Sequence, residues 1–162
     1  MLSEYKLLII MCTLSKTAHS FSRPETVLYQ EYDTEAQSFS AVKTVDTKCN
    51  LLPAGLVNKL IDPDIIKVCW DAESTSLIMD TLVLETGINK NNSYFSLPEW
   101  LKRNGYPYHS LNEIAQRLHI PPCCRSDVKD INKLRKRFNT FSAVVRKLVR
   151  IDALDLIDAI LF

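Results

Sequence analysis

Histidine, cysteine and clustered carboxylates are the side chains most able to move protons, hold metals or attack bonds. Only three of the 162 residues are His. General acid–base work needs a positioned group titrating near neutrality. His109 sits in the turn-like run Tyr106-Pro107-Tyr108-His109, where surface exposure accounts for it. His119 leads into Pro121-Pro122-Cys123-Cys124. Imidazole and thiolate are usual zinc ligands, but adjacent cysteines in an exported chain favour disulfide chemistry over metal. The Gly-x-Ser-x-Gly elbow, the His-Glu-x-x-His zinc motif and Cys-x-x-Cys are absent from the sequence. A phosphate-cradling loop needs clustered glycines, and Gly55, Gly87 and Gly105 stand alone. The residue types therefore assign no catalytic residue, no metal and no cofactor. They argue against an enzyme, with a small secreted enzyme as the remotest reading.

Cysteine usage depends on where the chain goes. Lys6 closes a short polar start, Leu7 to Leu14 is an apolar run, and Ala18-His19-Ser20 places small residues before Phe21. That is the layout of a secretory signal peptide, and the run is too short to anchor a protein in a bilayer. The alternative for the same residues is a buried N-terminal strand or helix. Cleavage would remove Cys12 and leave Cys49, Cys69, Cys123 and Cys124. An even count in an oxidising compartment predicts disulfides. A bond between the neighbours Cys123 and Cys124 is strained, so Cys49 and Cys69 are each expected to pair with one of them, in either order. Each bond would close a loop of roughly 55–75 residues and stabilise by about 4 kcal/mol in the chain-entropy picture. Asn91-Asn92-Ser93 is a glycosylation sequon in a polar stretch.

The elements that would position these groups read as helical. Leu56, Val57, Leu60 and Ile61 share one face of a short helix near Pro53. Asp62-Pro63 resembles a helix start. Apolar residues from Ile65 to Val83 follow it, as one helix or as two broken around Asp71, before Gly87 as a stop. Ser96-x-x-Glu99 and Ser110-x-x-Glu113 are capping boxes opening two more helices. Ile131, Leu134, Phe138, Phe141, Val145 and Leu148 recur at three- and four-residue steps, the strongest stripe in the chain. Scarce glycine disfavours a turn-rich β-sandwich. The expected fold is all-α, a four-helix-bundle-like domain with extra short helices. The expected division is a signal peptide (1–20), an extended arm (21–48) and a helical domain (49–162).

The last helix also offers surfaces. Lys129, Lys133, Lys136, Arg137, Lys147 and Arg150 lie opposite its core stripe. They form a solvated face, an anionic docking site, or, at Arg135-Lys136-Arg137, a processing site. Ile151, Leu154, Ile157 and Leu161 add a second apolar row, either sandwiched or used for contact. Lys133, Lys136, Arg137, Lys147, Arg150, Leu154, Ile157 and Leu161 are thus the candidate receptor-binding residues. A formal net charge of +1 gives no global drive toward nucleic acid, and no nucleic-acid partner is expected.

Ala143-Val144-Val145-Arg146-Lys147 followed by Leu154-Asp155-Leu156-Ile157 resembles the last helix of interleukin-10-related cytokines. That family's Lys-Ala-x-Gly-Glu-Leu-Asp run lacks its Gly-Glu pair here, and the spacing needs an insertion. Arg150-Ile151-Asp152-Ala153 is similar to the end of the helical subunit of interleukin-12. The likeness covers about a fifth of the chain. It implies a secreted signalling ligand acting through a cell-surface receptor, with a glycosaminoglycan as a further anionic partner. The alternative is a secreted helical carrier, or a reproductive or defence protein, enclosing a small apolar ligand.

Overall fold

The fold is α/β, not all-α. A computed structural model describes residues 6–14, 24–33, 35–47, 50–70, 72–88, 94–103, 105, 110–121 and 131–161; within these, side chains are described except at 14, 72–75, 94–95 and 149–161. Strands β1 (Lys6–Leu14), β2 (Pro24–Asp33), β3 (Ser38–Phe39) and β4 (Lys43–Asp46) come first. Then follow α1 (Ala54–Ile61), β5 (Ile65–Cys69), α2 (Ala72–Thr86), β6 (Tyr94–Ser96), α3 (Leu97–Arg103), α4 (Leu111–Arg117) and α5 (Ile131–Leu161). The sheet runs β3-β2-β1-β5-β6, with β4 also on β2. β1 is antiparallel to β2 and parallel to β5, and β5 is parallel to β6.

The apolar run expected to be a signal peptide is the central strand. Every residue from Leu7 to Cys12 is buried. Leu7, Ile9 and Met11 enter one core with Leu28, Ile66, Trp70, Phe138 and Phe141. Leu8, Ile10 and Cys12 enter another with Val27, Leu56, Leu60, Cys69, Ile78 and Leu82. A strand covered by helices on both faces needs apolar residues at every position, so it reads as a continuous run. The same reason makes Ile65-Ile66-Lys67-Val68-Cys69 a strand rather than the start of a helix: all five are buried. α2 begins only at Ala72, after the break expected around Asp71. Residues 21–48, read as an arm, contain β2, β3 and β4. A chain cut before Phe21 would lose β1 and with it the link between β2 and β5.

Most of the local helix signals hold, but Asp62-Pro63 opens no helix: Asp62 is the C-cap of α1, and β5 follows. Ser110 Oγ accepts from the Glu113 N–H at 3.2 Å, as a capping box requires. Gly87 has φ +71° and its N–H donates to Val83 O at 2.8 Å, ending α2 in the left-handed conformation. Leu56 and Leu60 are the buried face of α1. In α5, Leu134, Phe138, Phe141 and Val145 are buried, with Ile131 and Leu148 packed beside them. α1 and α2 cover one side of the sheet; α3, α4 and α5 cover the other. The helices therefore do not form a four-helix bundle: they are layered on a sheet.

Candidate functional site at the carboxyl edge of the sheet

In open sheets of this kind, ligands bind beyond the carboxyl ends of the parallel strands. That edge is formed here by the ends of β1, β5 and β6. The pairing of β1 with β2 shifts register between Cys12 and Leu14. Such bulges re-aim side chains near functional edges. Thr13 sits in the shift, buried, and its Oγ1 accepts from the Thr26 N–H at 3.0 Å. Thr47 closes the neighbouring corner by donating its hydroxyl to Pro24 O. At the end of β5 lie Cys69 and Trp70, the latter edge-on to Phe141 with ring centroids 6.1 Å apart. Ser96 ends β6 and is buried. The described side chains at this edge are thus hydroxyls, thiols and an indole.

The opposite, amino edge holds the described ion pairs. Glu31 on β2 accepts from Lys59 on α1 and lies 3.5 Å from Lys6. Burial alone would raise the Glu31 carboxyl; the hydrogen bond and charge of Lys59, with help from Lys6, outweigh it and hold the group below its ordinary value. Lys67 is 1% exposed and reaches back along β5 to donate to Asp62 O at 2.6 Å. Loss of water pushes its ammonium down from 10.5 to about 8, against the partial opposition of the Asp62 charge. Its place at the C-terminal end of α1 suits a cation.

Several expected sites fall elsewhere. Cys69 is a buried thiol in the core between the sheet and α1–α2, not one half of a disulfide. No disulfide occurs among the described residues; Cys49, Cys123, Cys124 and the sequon Asn91 lie outside them. Lys133 and Lys136 are exposed on α5, Arg137 is half-buried, and Lys147 donates to Leu118 O at the end of α4. Arg150, Leu154, Ile157 and Leu161 belong to α5, with side chains outside the described set. Sequence reasoning discards Cys12 and Thr13 with the signal peptide and treats Ser96 only as a helix cap. The signal that could have found them is the pair of unbroken apolar runs, Leu7–Cys12 and Ile65–Cys69, each the length of a doubly covered strand.

Comparison with known proteins gives the fold a context. No known family profile matches the chain, nor does any curated protein sequence. Solved structures do. The exonuclease domain of Nibbler from Aedes aegypti superposes with TM-score 0.64 at 12% identity, covering 99% of this chain and 88% of that one. Cell-death related nuclease 4 gives 0.60 at 11% identity, covering 91% of this chain and 65% of its own length. The nuclease domain of 3′hExo, a DEDDh family member bound to rAMP, gives 0.60 at 5% identity over 90% of this chain and 92% of that domain. The chain has the fold of exonuclease domains.

That fold overturns the helical-cytokine resemblance, the receptor-ligand and carrier readings, and the expectation of a non-enzyme. The three proteins just named are nucleases, and a further match, NrnC from Brucella melitensis, is seen bound to pGG. The exclusion of nucleic acid as a partner falls with the same finding. The physical reason is that an even global charge says nothing about how charge is distributed over the surface.

Nuclease chemistry often uses two metal ions held by carboxylates. Among the described residues, no group of three or more His, Cys, Asp or Glu side chains is placed to hold a metal. Cys12, Thr13, Trp70 and Ser96 do not form a hard-cation site, which wants oxygen ligands in number. In sequence, Asp71 directly follows Trp70, and Asp127 and Asp130 precede Ile131; all three lie outside the described residues.

Proposed function

We propose that this chain is a nucleic-acid-acting domain of the 3′-exonuclease type, taking the end of a single strand at the carboxyl edge of β1, β5 and β6. The observation that carries this reading is the near-complete coverage of the chain by several exonuclease structures at TM-scores of 0.60–0.64. Sequence identities of 5–12% mean that packing, not motif likeness, is what they share. The register irregularity opposite Thr13 and the convergence of three parallel strand ends support a site at this edge, where sheets of this kind bind ligands.

The test uses the full chain and short RNA and DNA strands labelled at the 5′ end. Because the described residues offer no hard-cation site, the strands are incubated both with and without Mg²⁺ or Mn²⁺, and stepwise shortening from the 3′ end is the outcome that supports the exonuclease reading. Strands blocked at the 3′ end should resist. Binding without shortening under every cation would keep nucleic acid as the partner and remove the exonuclease reading. Absence of both would remove the proposal entirely.

A further inference from the structure

We propose that the amino-terminal half of α5 binds the phosphate backbone of the strand through Lys133, Lys136 and Arg137, at the same edge of the sheet as the candidate site. This rests on the nucleic-acid reading above and names the surface that would serve it. From Ile131 to Arg150 the sequence holds seven Lys and Arg and no Asp or Glu. The whole chain has 20 Lys and Arg against 19 Asp and Glu, so the rest of the molecule is net acidic. The opposite helical layer shows this: α1 and α2 carry Glu73, Asp80 and Glu85 against the one cation Lys59.

The direction of α5 places these cations. Phe141 packs on Trp70, just past the carboxyl end of β5. One residue on, Ser142 donates to Gln30 Oε1 at 2.6 Å, and Gln30 stands opposite Ile9 in the middle of β1. Further along, the Arg146 guanidinium lies 5.4 Å from the Phe39 ring centroid. Phe39 pairs with Tyr32, which stands opposite Leu7 near the start of β1. α5 therefore runs from the carboxyl edge to the amino edge. At 1.5 Å per residue, Arg137 lies about 6 Å and Lys133 about 12 Å toward and beyond the carboxyl edge from Phe141.

Not every cation of α5 is available. Lys147 donates to Leu118 O, and Arg146 is engaged with Phe39. Lys133, Lys136 and Arg137 fall within an arc of about 100° on the helix; half-buried Arg137 borders the stripe of Leu134, Phe138 and Phe141, and exposed Lys133 and Lys136 lie across the helix from it. Among the described residues none of the three pairs with a carboxylate. Three cations at i, i+3 and i+4 are neighbours on a helix surface. Among the described residues no carboxylate offsets their mutual repulsion, and a polyanion relieves it. A chain of phosphates fits this better than one isolated anion, because three separate charges need three partners.

The experiment compares the full chain with the Lys133→Gln, Lys136→Gln, Arg137→Gln triple variant. Gln keeps helix propensity close to that of Lys and Arg, so thermal unfolding should be unchanged. Affinity for short oligouridylate and oligothymidylate is measured across a salt series. Loss of three phosphate contacts should flatten the slope of log K against log[salt] by about 2 and weaken binding roughly 100-fold at about 0.1 M salt, for both probes alike. An unchanged slope in a variant of a wild type that does bind would overturn this inference and leave the proposed function standing. A wild type that binds neither probe at low salt would overturn the proposed function itself. A heparin oligosaccharide is the control polyanion: loss of heparin affinity with nucleic-acid affinity intact would assign the face to a sulfated polysaccharide and overturn the inference.

Discussion

The two helical layers close the same sheet in different ways. The α3–α5 side is an aromatic core: Trp70, Phe138 and Phe141 meet Leu7, Ile9 and Met11 without a buried charge among them. The α1–α2 side is aliphatic, built on Leu8, Ile10, Leu56, Leu60, Ile78 and Leu82. It also takes in the whole side chain of Lys67 and, at its rim, Glu31 with Lys59. The difference shows how a fold separates packing from charge. The side with the purely apolar interior carries the cationic exterior of α5. The other side tolerates ions inside only where a helix end or a partner satisfies them.

The largest effect should come from the strand shared by both layers. Ile9→Asp would bury a lone carboxylate in the middle of β1, and removal of residues 1–20 would take out β1 altogether. Either should abolish cooperative unfolding, by loss of a central strand or by an uncompensated buried charge. A truncated chain that still melts sharply would show that the sheet does not depend on β1.

Next come the cores themselves. Phe138→Ala or Phe141→Ala should cost about 3–5 kcal/mol, and Leu56→Ala on the other side about 2–5 kcal/mol, measured by denaturant unfolding. Equal sensitivity would mean two cores of comparable weight. A Phe141→Ala cost no larger than that of an exposed residue would mean the aromatic layer is loosely held.

Lys67 sharpens the contrast through pH. Its ammonium titrates near 8 in the folded chain against 10.5 ordinarily. Below about 8 both states hold the proton; between about 8 and 10.5 only the unfolded chain does. The unfolded state then binds more protons, so Lys67 makes stability rise with pH across that window. Lys67→Met should remove this rise, seen as the difference between the two stability curves. Superimposable curves would mean that the ammonium is as well solvated folded as unfolded.

The smallest change should be Glu31→Gln, within about 1 kcal/mol for a rim ion pair. Because the folded carboxyl is held below its ordinary 4.5, its contribution is present above that pH and fades as pH falls through the folded value. The wild type and variant should therefore converge in acid and separate slightly near neutrality.

Much of the local structure is legible in the sequence. Ser110 caps α4, Gly87 stops α2, and the stripe from Leu134 to Val145 faces the core. Each of these depends on contacts within a few residues, and helix periodicity records them directly. That Leu7–Leu14 reads in sequence both as a leader and as a strand has an equally physical cause. A membrane-directed leader and a strand covered on both faces both require an unbroken apolar run, and composition does not distinguish the lipid from the protein interior. Lys67 escapes notice because its charge looks like a surface marker, whereas its length lets the head reach Asp62 O from a buried stem.

By itself the sequence determined which segments are apolar, where three helices begin or end, and that α5 carries cations along its flank. Only the tertiary structure decided that two apolar runs are parallel strands side by side, that β1 lies between β2 and β5, and that Lys133, Lys136 and Arg137 lie toward the carboxyl edge. Those facts depend on pairings between residues far apart in the chain, such as Leu7 with Ile66 and Phe141 with Trp70. Strand partners are chosen by what remains to be covered once every other element has packed, and no local pattern contains that choice.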